Sequence, residues 1–311
     1  EVVRMAEEQG ATIIAMSDHG FGPIRWYFAI NNWLLDQGYL VLKGGAFNRF
    51  RRLAFRLGFT PNTAYKLLIA LGLQNLRQSA GIGSRHTIFA QLSRVFLSLQ
   101  DVDWSRTRAY SKGNYGQIYV NTKGREKHGV VAPGAEAAAL RKEIAEKVAE
   151  VRDPETGGPM FQVFLQDDIY SGDQAWRGCD VFPLPVNMEY KALGTMDFIT
   201  NKFLEPSYAQ SGDHRVDGIF FMKGEGVRAG QWIEGARVFD VAPTVLHRMG
   251  LPIPKDMDGV PLTQCYEPGW LEGRAPAYSD DVSSGTSVDQ ELTEDELAQI
   301  QENLKGLGYL G

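Results

Sequence analysis

Apolar residues along the chain repeat with two periods, one helical and one extended. In EVVRMAEEQG, Val2, Val3 and Ala6 fall at helical spacing and Gly10 marks a stop. ATIIAM, residues 11–16, follows without a polar break, as a parallel strand covered by helices on both faces should. AINNWLLDQGYLVLK reads as a short helix stopped near Gly38, then an extended piece. AYSKGNYGQIYVN brings back alternation, β-branched residues and glycine turns. From Pro133 to Val151 a helix is predicted, with Leu140, Ile144, Val148 and Val151 on one stripe and Glu and Lys on the other. DPETGGP is a turn, MFQVFLQ a strand, and DGIFFMK, residues 217–223, another short apolar strand. Asp240 is expected to cap the helix VAPTVLHRM, which Gly250 closes. Thr293 with Glu296 forms a capping box for a last helix to about Lys305.

Strands alternating with helices predict an α/β fold, with a mixed, mostly parallel sheet and helices on both faces. Residues 44–105 break the alternation. Leu, Phe and Ala recur there at helical spacing, and Thr60-Pro61 marks a helix start. Arg49, Arg51, Arg52, Arg56, Arg77, Arg85 and Arg94 concentrate in the same stretch. It reads as a helical insertion or cap. Its arginines are either a solvated face or a cationic rim for an anionic substrate or lipid surface. The expected division is an α/β core over 1–43 and 106–270, the insertion over 44–105, and an acidic linker with a C-terminal helix over 271–311. The opening residues look like the last turns of a helix already under way, so a preceding part of the core is expected to be missing.

The net charge of −6 offers no global basic field, so no nucleic-acid duplex is expected as a partner. No apolar run approaches the roughly 20 residues that span a bilayer, and no signal peptide is evident. Two cysteines, Cys179 and Cys265, cannot make a disulfide framework. They lack redox spacing and read as inert, and a cytoplasmic setting is the expectation.

Chemistry concentrates at SDHG. Asp18 and His19 follow an apolar strand, where open α/β sheets bind ligands, and Gly20 lets the chain turn sharply. A carboxylate oxygen and an imidazole nitrogen can both bind a divalent ion, at roughly 2.0–2.2 Å for zinc. The plainer alternative is an Asx turn beside a bystander histidine. His214, in SGDHRVDGIFF, also lies at a strand edge. Alone it would be a surface residue, but a two-metal site draws ligands from several loops, so the two candidates support each other. His128 sits in a charged turn, His86 precedes an apolar helix, and His247 lies in a last helical turn where the dipole favours a cation.

Several blocks together carry a resemblance: SDHGFGP, INNWLLDQGYL, DVDWSRTRAYS, IYVNTKGRE with GVVAPG, GDHRVDGIFF, FDVAPTVLHRMGLPIPKDMDGVPL and the closing LKGLGYLG. The chain resembles the alkaline phosphatase superfamily, within it the type I phosphodiesterase/nucleotide pyrophosphatase branch and the predicted phosphohydrolases/phosphomutases of bacteria and archaea. The likeness spans nearly the whole chain. It implies a metal-dependent phosphoric ester hydrolase acting through a phospho-enzyme. It further implies two divalent ions, zinc or manganese, and a Thr or Ser nucleophile. Asp18 and His19 match the Ser-Asp-His-Gly motif and would bind one ion. His214 matches the late Gly-x-His motif and would complete the other. Arg215 could neutralise a phosphate oxygen, or simply pair with Asp213 or Asp217. The remaining ligands and the nucleophile of such proteins precede Ser-Asp-His-Gly, so they are expected upstream of Glu1. The substrate would be a small-molecule, lipid or nucleotide phosphate ester, chosen by loops such as residues 44–105. The competing readings are a phosphomutase or sulfatase of the same fold, and a non-catalytic module that binds an anionic glycan or lipid.

Overall fold

The computed structural model describes residues 1–70, 96–194, 198–207 and 210–280. Helices and strands are mixed, with several small sheets, which is an α/β class of structure. By its contacts the chain divides into two compact units, Phe21–Arg215 and Glu1–Gly20 with Val216–Gly311.

The Phe21–Arg215 unit is built around strand Trp26–Ala29. It lies parallel to Tyr190–Leu193 and antiparallel to Leu204–Pro206. The chain leaves it directly into helix Ile30–Asp36, which ends where Gly38 takes a φ of 77°. A second sheet has the order Ala109–Ser111, Ile118–Val120, Val181–Pro185, Phe161–Leu165, all antiparallel. Helix Ala135–Ala149 packs on Phe161–Leu165 and buries Leu140, Ile144 and Val148 of the predicted stripe together with Ala137, while Val151 lies beyond the helix and is half-buried. Leu140, Ile144 and Val148 each contribute roughly 1.5–3 kcal/mol by leaving water.

Three asparagines brace this core. Asn31 donates to the carbonyls of Ser111 (2.9 Å) and Gly194 (2.8 Å) and accepts from Ser111 N–H (2.9 Å). Asn32 donates to the carbonyls of Thr200 and Lys202. Asn121 donates to those of Trp104, Thr107 and His128. All three are buried, so each side chain replaces water for loop carbonyls that no ladder pairs.

In residues 44–105 the expected helices appear as Ala46–Arg56 and Pro61–Ala70. Thr60 accepts from Thr63 N–H (3.2 Å), so Thr60-Pro61 is an N-cap followed by proline at the first helical position. Arg77, Arg85, Arg94, His86 and the capping box at Thr293 and Glu296 lie outside the described residues.

In the other unit, helix Val2–Glu8 precedes strand Ile13–Met16, which pairs antiparallel with Phe220–Lys223. Helix Val241–Arg248 ends before Gly250, whose φ is 71°. Ile253–Pro254 and Tyr278–Ser279 make a short parallel pair. A small apolar cluster gathers Leu262, Cys265 and Tyr266.

Three expectations change. The sheets are small, and among the described residues most pairings of defined direction are antiparallel rather than parallel. Part of the reason is connection length: the turn from Ser111 to Ile118 is too short for the crossover that parallel neighbours need. Strand Ile13–Met16 is not covered on both faces. It is half-buried at its start and exposed at its end, with one partner strand among the described residues. Asp240 does not cap helix Val241–Arg248 through its side chain. Its carboxylate is buried and accepts from Arg237 N–H and Val260 N–H, both at 2.9 Å, tying two loops together.

No helix among the described residues is long and apolar enough to cross a membrane.

Candidate functional site

Ser17 sets the start of the first candidate. Its N–H donates to the Ile219 carbonyl (3.0 Å), and its hydroxyl accepts from Ile219 N–H (2.9 Å). The ladder between Ile13–Met16 and Phe220–Lys223 is thereby prolonged by one residue. Gly218 permits this approach, because a Cβ there would lie 2.7 Å from the Ser17 hydroxyl. Asp18 and His19 then leave the sheet together.

His19 is oriented by its own turn. Its Nδ1 lies 2.7 Å from the Gly20 carbonyl, and a carbonyl only accepts, so Nδ1 carries the proton. Nε2 lies on the side of Asp18, whose Oδ1 is 3.5 Å away. With Nδ1 turned onto the carbonyl, the ring presents Nε2 to the Asp18 carboxylate. Asp18 is the more open of the two, with 72% of its side chain exposed against 32% for His19. Both are thus reachable from solvent. A cleft of about 590 Å³ runs past Asp18. Its walls are mainly apolar, with Met16, Phe221, Trp232 and Phe239 on one side or the other and Arg237 among them.

The second candidate, His214, lies on strand Gly212–Arg215 in the Phe21–Arg215 unit. Its Nδ1 is 2.9 Å from Oδ1 of the preceding Asp213. Asp213 is buried, and its other oxygen takes the Lys191 ammonium at 2.5 Å. Burial pushes the Asp213 carboxyl up, but the hydrogen bonds from Lys191 and His214 outweigh it and hold its pKa below the usual carboxylate range. The anion therefore fixes Nδ1 as the protonated nitrogen here too. Phe21 and Tyr115 flank the imidazole, at 6.4 and 6.2 Å between ring centres. A cavity of about 20 Å³, room for a single water, lies between His214, Tyr115, Tyr190 and Lys191.

Among the described residues Arg215 forms no salt bridge with Asp213, one of its two expected carboxylate partners. It donates to the carbonyls of Pro23 and His214, while Asp213 takes Lys191 and His214. Gly22 makes room for it: a Cβ there would lie 2.5 Å from the Arg215 Nε.

Two further histidines are among the described residues. His128 is exposed. His247 lies in the last helical turn, as expected, and is buried. Its Nε2 meets the Arg274 carbonyl at 2.7 Å, and its ring packs edge-on against Tyr266 and Trp270. Cys179 and Cys265 are buried, and burial pushes both thiols up, the setting of unreactive cysteines.

Sequence reasoning missed Lys191 and Asp213. The signal for Asp213 was present, an acidic residue directly before the candidate ligand. Lys191 carried none, since it comes from a different strand.

Among the described residues, no three His, Cys, Asp or Glu side chains gather into a ready metal-holding group. The donor chemistry fits a divalent ion in part: Asp18 and His19 present two ligand types that zinc and manganese both accept. No protein-family model matches the chain, and comparison with curated proteins and with solved structures finds no match.

Proposed function

We propose that the chain carries ligands of a metal-dependent phosphoric ester hydrolase of the phosphodiesterase/nucleotide pyrophosphatase type, in the alkaline phosphatase superfamily. The larger, mostly parallel sheet of that superfamily belongs to this proposal as well. The observation that supports it most is the state of His19, with Nδ1–H on the Gly20 carbonyl and Nε2 beside Asp18.

In this reading Asp18 and His19 hold one divalent ion of the zinc or manganese class, and His214 holds another. When bound, such ions supply Lewis acidity at phosphorus and charge for the leaving oxygen. The chain's own residues do the positioning. The Gly20 carbonyl fixes the His19 ring, and Asp213, itself held by Lys191, fixes that of His214. The apolar cleft past Asp18 suits the organic part of a lipid or nucleotide ester, with Arg237 among its walls. No catalytic nucleophile is assigned to a residue of this chain.

Calorimetric titration with zinc and with manganese tests the reading. Asp18→Ala and His19→Ala are each expected to weaken binding at least about tenfold, since even outer partners of metal ligands are worth that much. Titration with inorganic phosphate follows, with and without metal. Phosphate binding that needs the metal supports the hydrolase. Phosphate binding with no metal bound at all would transfer the site to the anion-binding module.

A further inference from the structure

The helix Ala46–Arg56 has three different faces. One points into the protein. Phe55 is buried in the core, its ring edge-on to Phe198 at 5.7 Å. Arg51 is buried beside it, 2.6 Å from Asp101 and bonded to the Phe96 carbonyl. These contacts lock the helix against rotation, so its apolar face is held outward.

The second face is apolar and uncovered. Phe47 and Phe50 are each 62% exposed, Leu53 56%, and Leu57, at the C-cap, 79%. At 100° per residue these four fall on one continuous stripe. The third face carries Arg49, Arg52 and Arg56 along the edge of that stripe, with Arg49 and Arg56 exposed and Arg52 half-buried at the rim of a pocket. Exposed aromatic and leucine side chains beside a row of arginines, on a helix already anchored by its inner face, are the pattern of an interfacial helix.

The surrounding sequence has the matching charge. Residues 37–100 contain no Asp or Glu, but seven arginines and two lysines, in a chain whose net charge is −6. An ordinary solvated helix would mix both signs, and a protein-docking face would not need this stretch to be free of acids. An anionic lipid surface rewards both features together: apolar side chains enter the headgroup layer while the arginines stay with the phosphates.

We propose that helix Ala46–Arg56 is a membrane-surface contact, which lays Phe47, Phe50, Leu53 and Leu57 into an anionic bilayer and sets Arg49, Arg52 and Arg56 on its headgroups. The contact is peripheral and reversible, and it does not depend on the metal chemistry proposed above.

Co-sedimentation of the full chain tests it, with vesicles of phosphatidylcholine and phosphatidylglycerol in equal parts, and of phosphatidylcholine alone. The unaltered chain is expected to pellet with the anionic vesicles, less so as salt is raised, and to stay in solution with the neutral ones. Phe47→Ser with Phe50→Ser should reduce partitioning by at least about tenfold, given the apolar area withdrawn from the lipid. Arg49→Gln with Arg52→Gln and Arg56→Gln should abolish the preference for anionic vesicles. An unchanged circular dichroism spectrum and melting temperature would show that these exposed positions alter binding and not folding. Equal binding to both vesicle types overturns the proposal, as does undiminished binding by the double serine variant. Failure of the unaltered chain to bind overturns it too. If sedimentation velocity then shows a dimer that the serine variant loses, the face belongs to a second copy of the chain.

Discussion

Strands Ile118–Val120 and Ile13–Met16 are equally apolar, yet they end in opposite surroundings. Ile118 and Val120 are wholly buried, with strands on both sides and helix Ala135–Ala149 in contact. Ile13–Met16 has one described neighbour, and Met16 keeps 39% of its surface exposed. The same contrast holds between the units. Phe21–Arg215 has a continuous core from Phe28 to Phe198, whereas the described part of the other unit centres on Leu262, Cys265 and Tyr266. A strand's own residues make burial favourable, but what covers it decides whether burial occurs. Met16, Phe221 and Trp232 are therefore informative, because exposed apolar residues on one cleft are less common than scattered ones.

The widest gap should open between core and cleft substitutions. Ile144→Ala, at a fully buried position, is expected to cost about 2–5 kcal/mol in urea denaturation. A loss below 1 kcal/mol would mean that the first unit is packed as loosely as the second. Acid comes next. Asp153 accepts from Glu155 N–H (2.9 Å), from the Tyr190 hydroxyl (2.9 Å) and from Thr156 (3.0 Å), and these bonds, the backbone one foremost, hold its pKa below the ordinary carboxylate value. A depressed folded-state pKa stabilises fully above the unfolded value, and the contribution disappears as pH falls through the folded one. The Phe21–Arg215 unit should therefore lose stability as pH drops below the normal aspartate range. Asp153→Asn should flatten that part of the profile, as read from melting temperature against pH. The smallest effect is expected at the cleft. Phe221→Thr, at a side chain 64% exposed, should change stability by no more than about 0.5 kcal/mol, and dye binding to apolar surface should fall.

Periodicity made much of the secondary structure legible. Leu140, Ile144 and Val148 marked the helix and its buried face, and Gly38, Thr60-Pro61 and Gly250 marked ends that the structure places within a residue or two. Pairing direction was not legible, because a strand's pattern records what covers it and not which way its neighbour runs. At the candidate site, Asp18, His19 and His214 could be singled out by residue type and neighbours. Lys191 and the role of Asp240 could not, since each depends on a partner distant in sequence, Asp213 in one case and Val260 in the other. Arg51 was read among solvated or rim arginines, but a half-buried carboxylate partner, Asp101, draws it inside. A one-dimensional pattern cannot separate it from Arg49 and Arg52 beside it.

Asn31 makes two distant segments depend on one neutral group. Its amide nitrogen faces two carbonyl oxygens, and its amide oxygen faces an N–H. Only a side chain that donates twice and accepts at the same time fills that place. An aspartate of the same size would set an anion against two acceptors and could donate to neither. The position is therefore closed to charge by the polarity of its neighbours rather than by their volume.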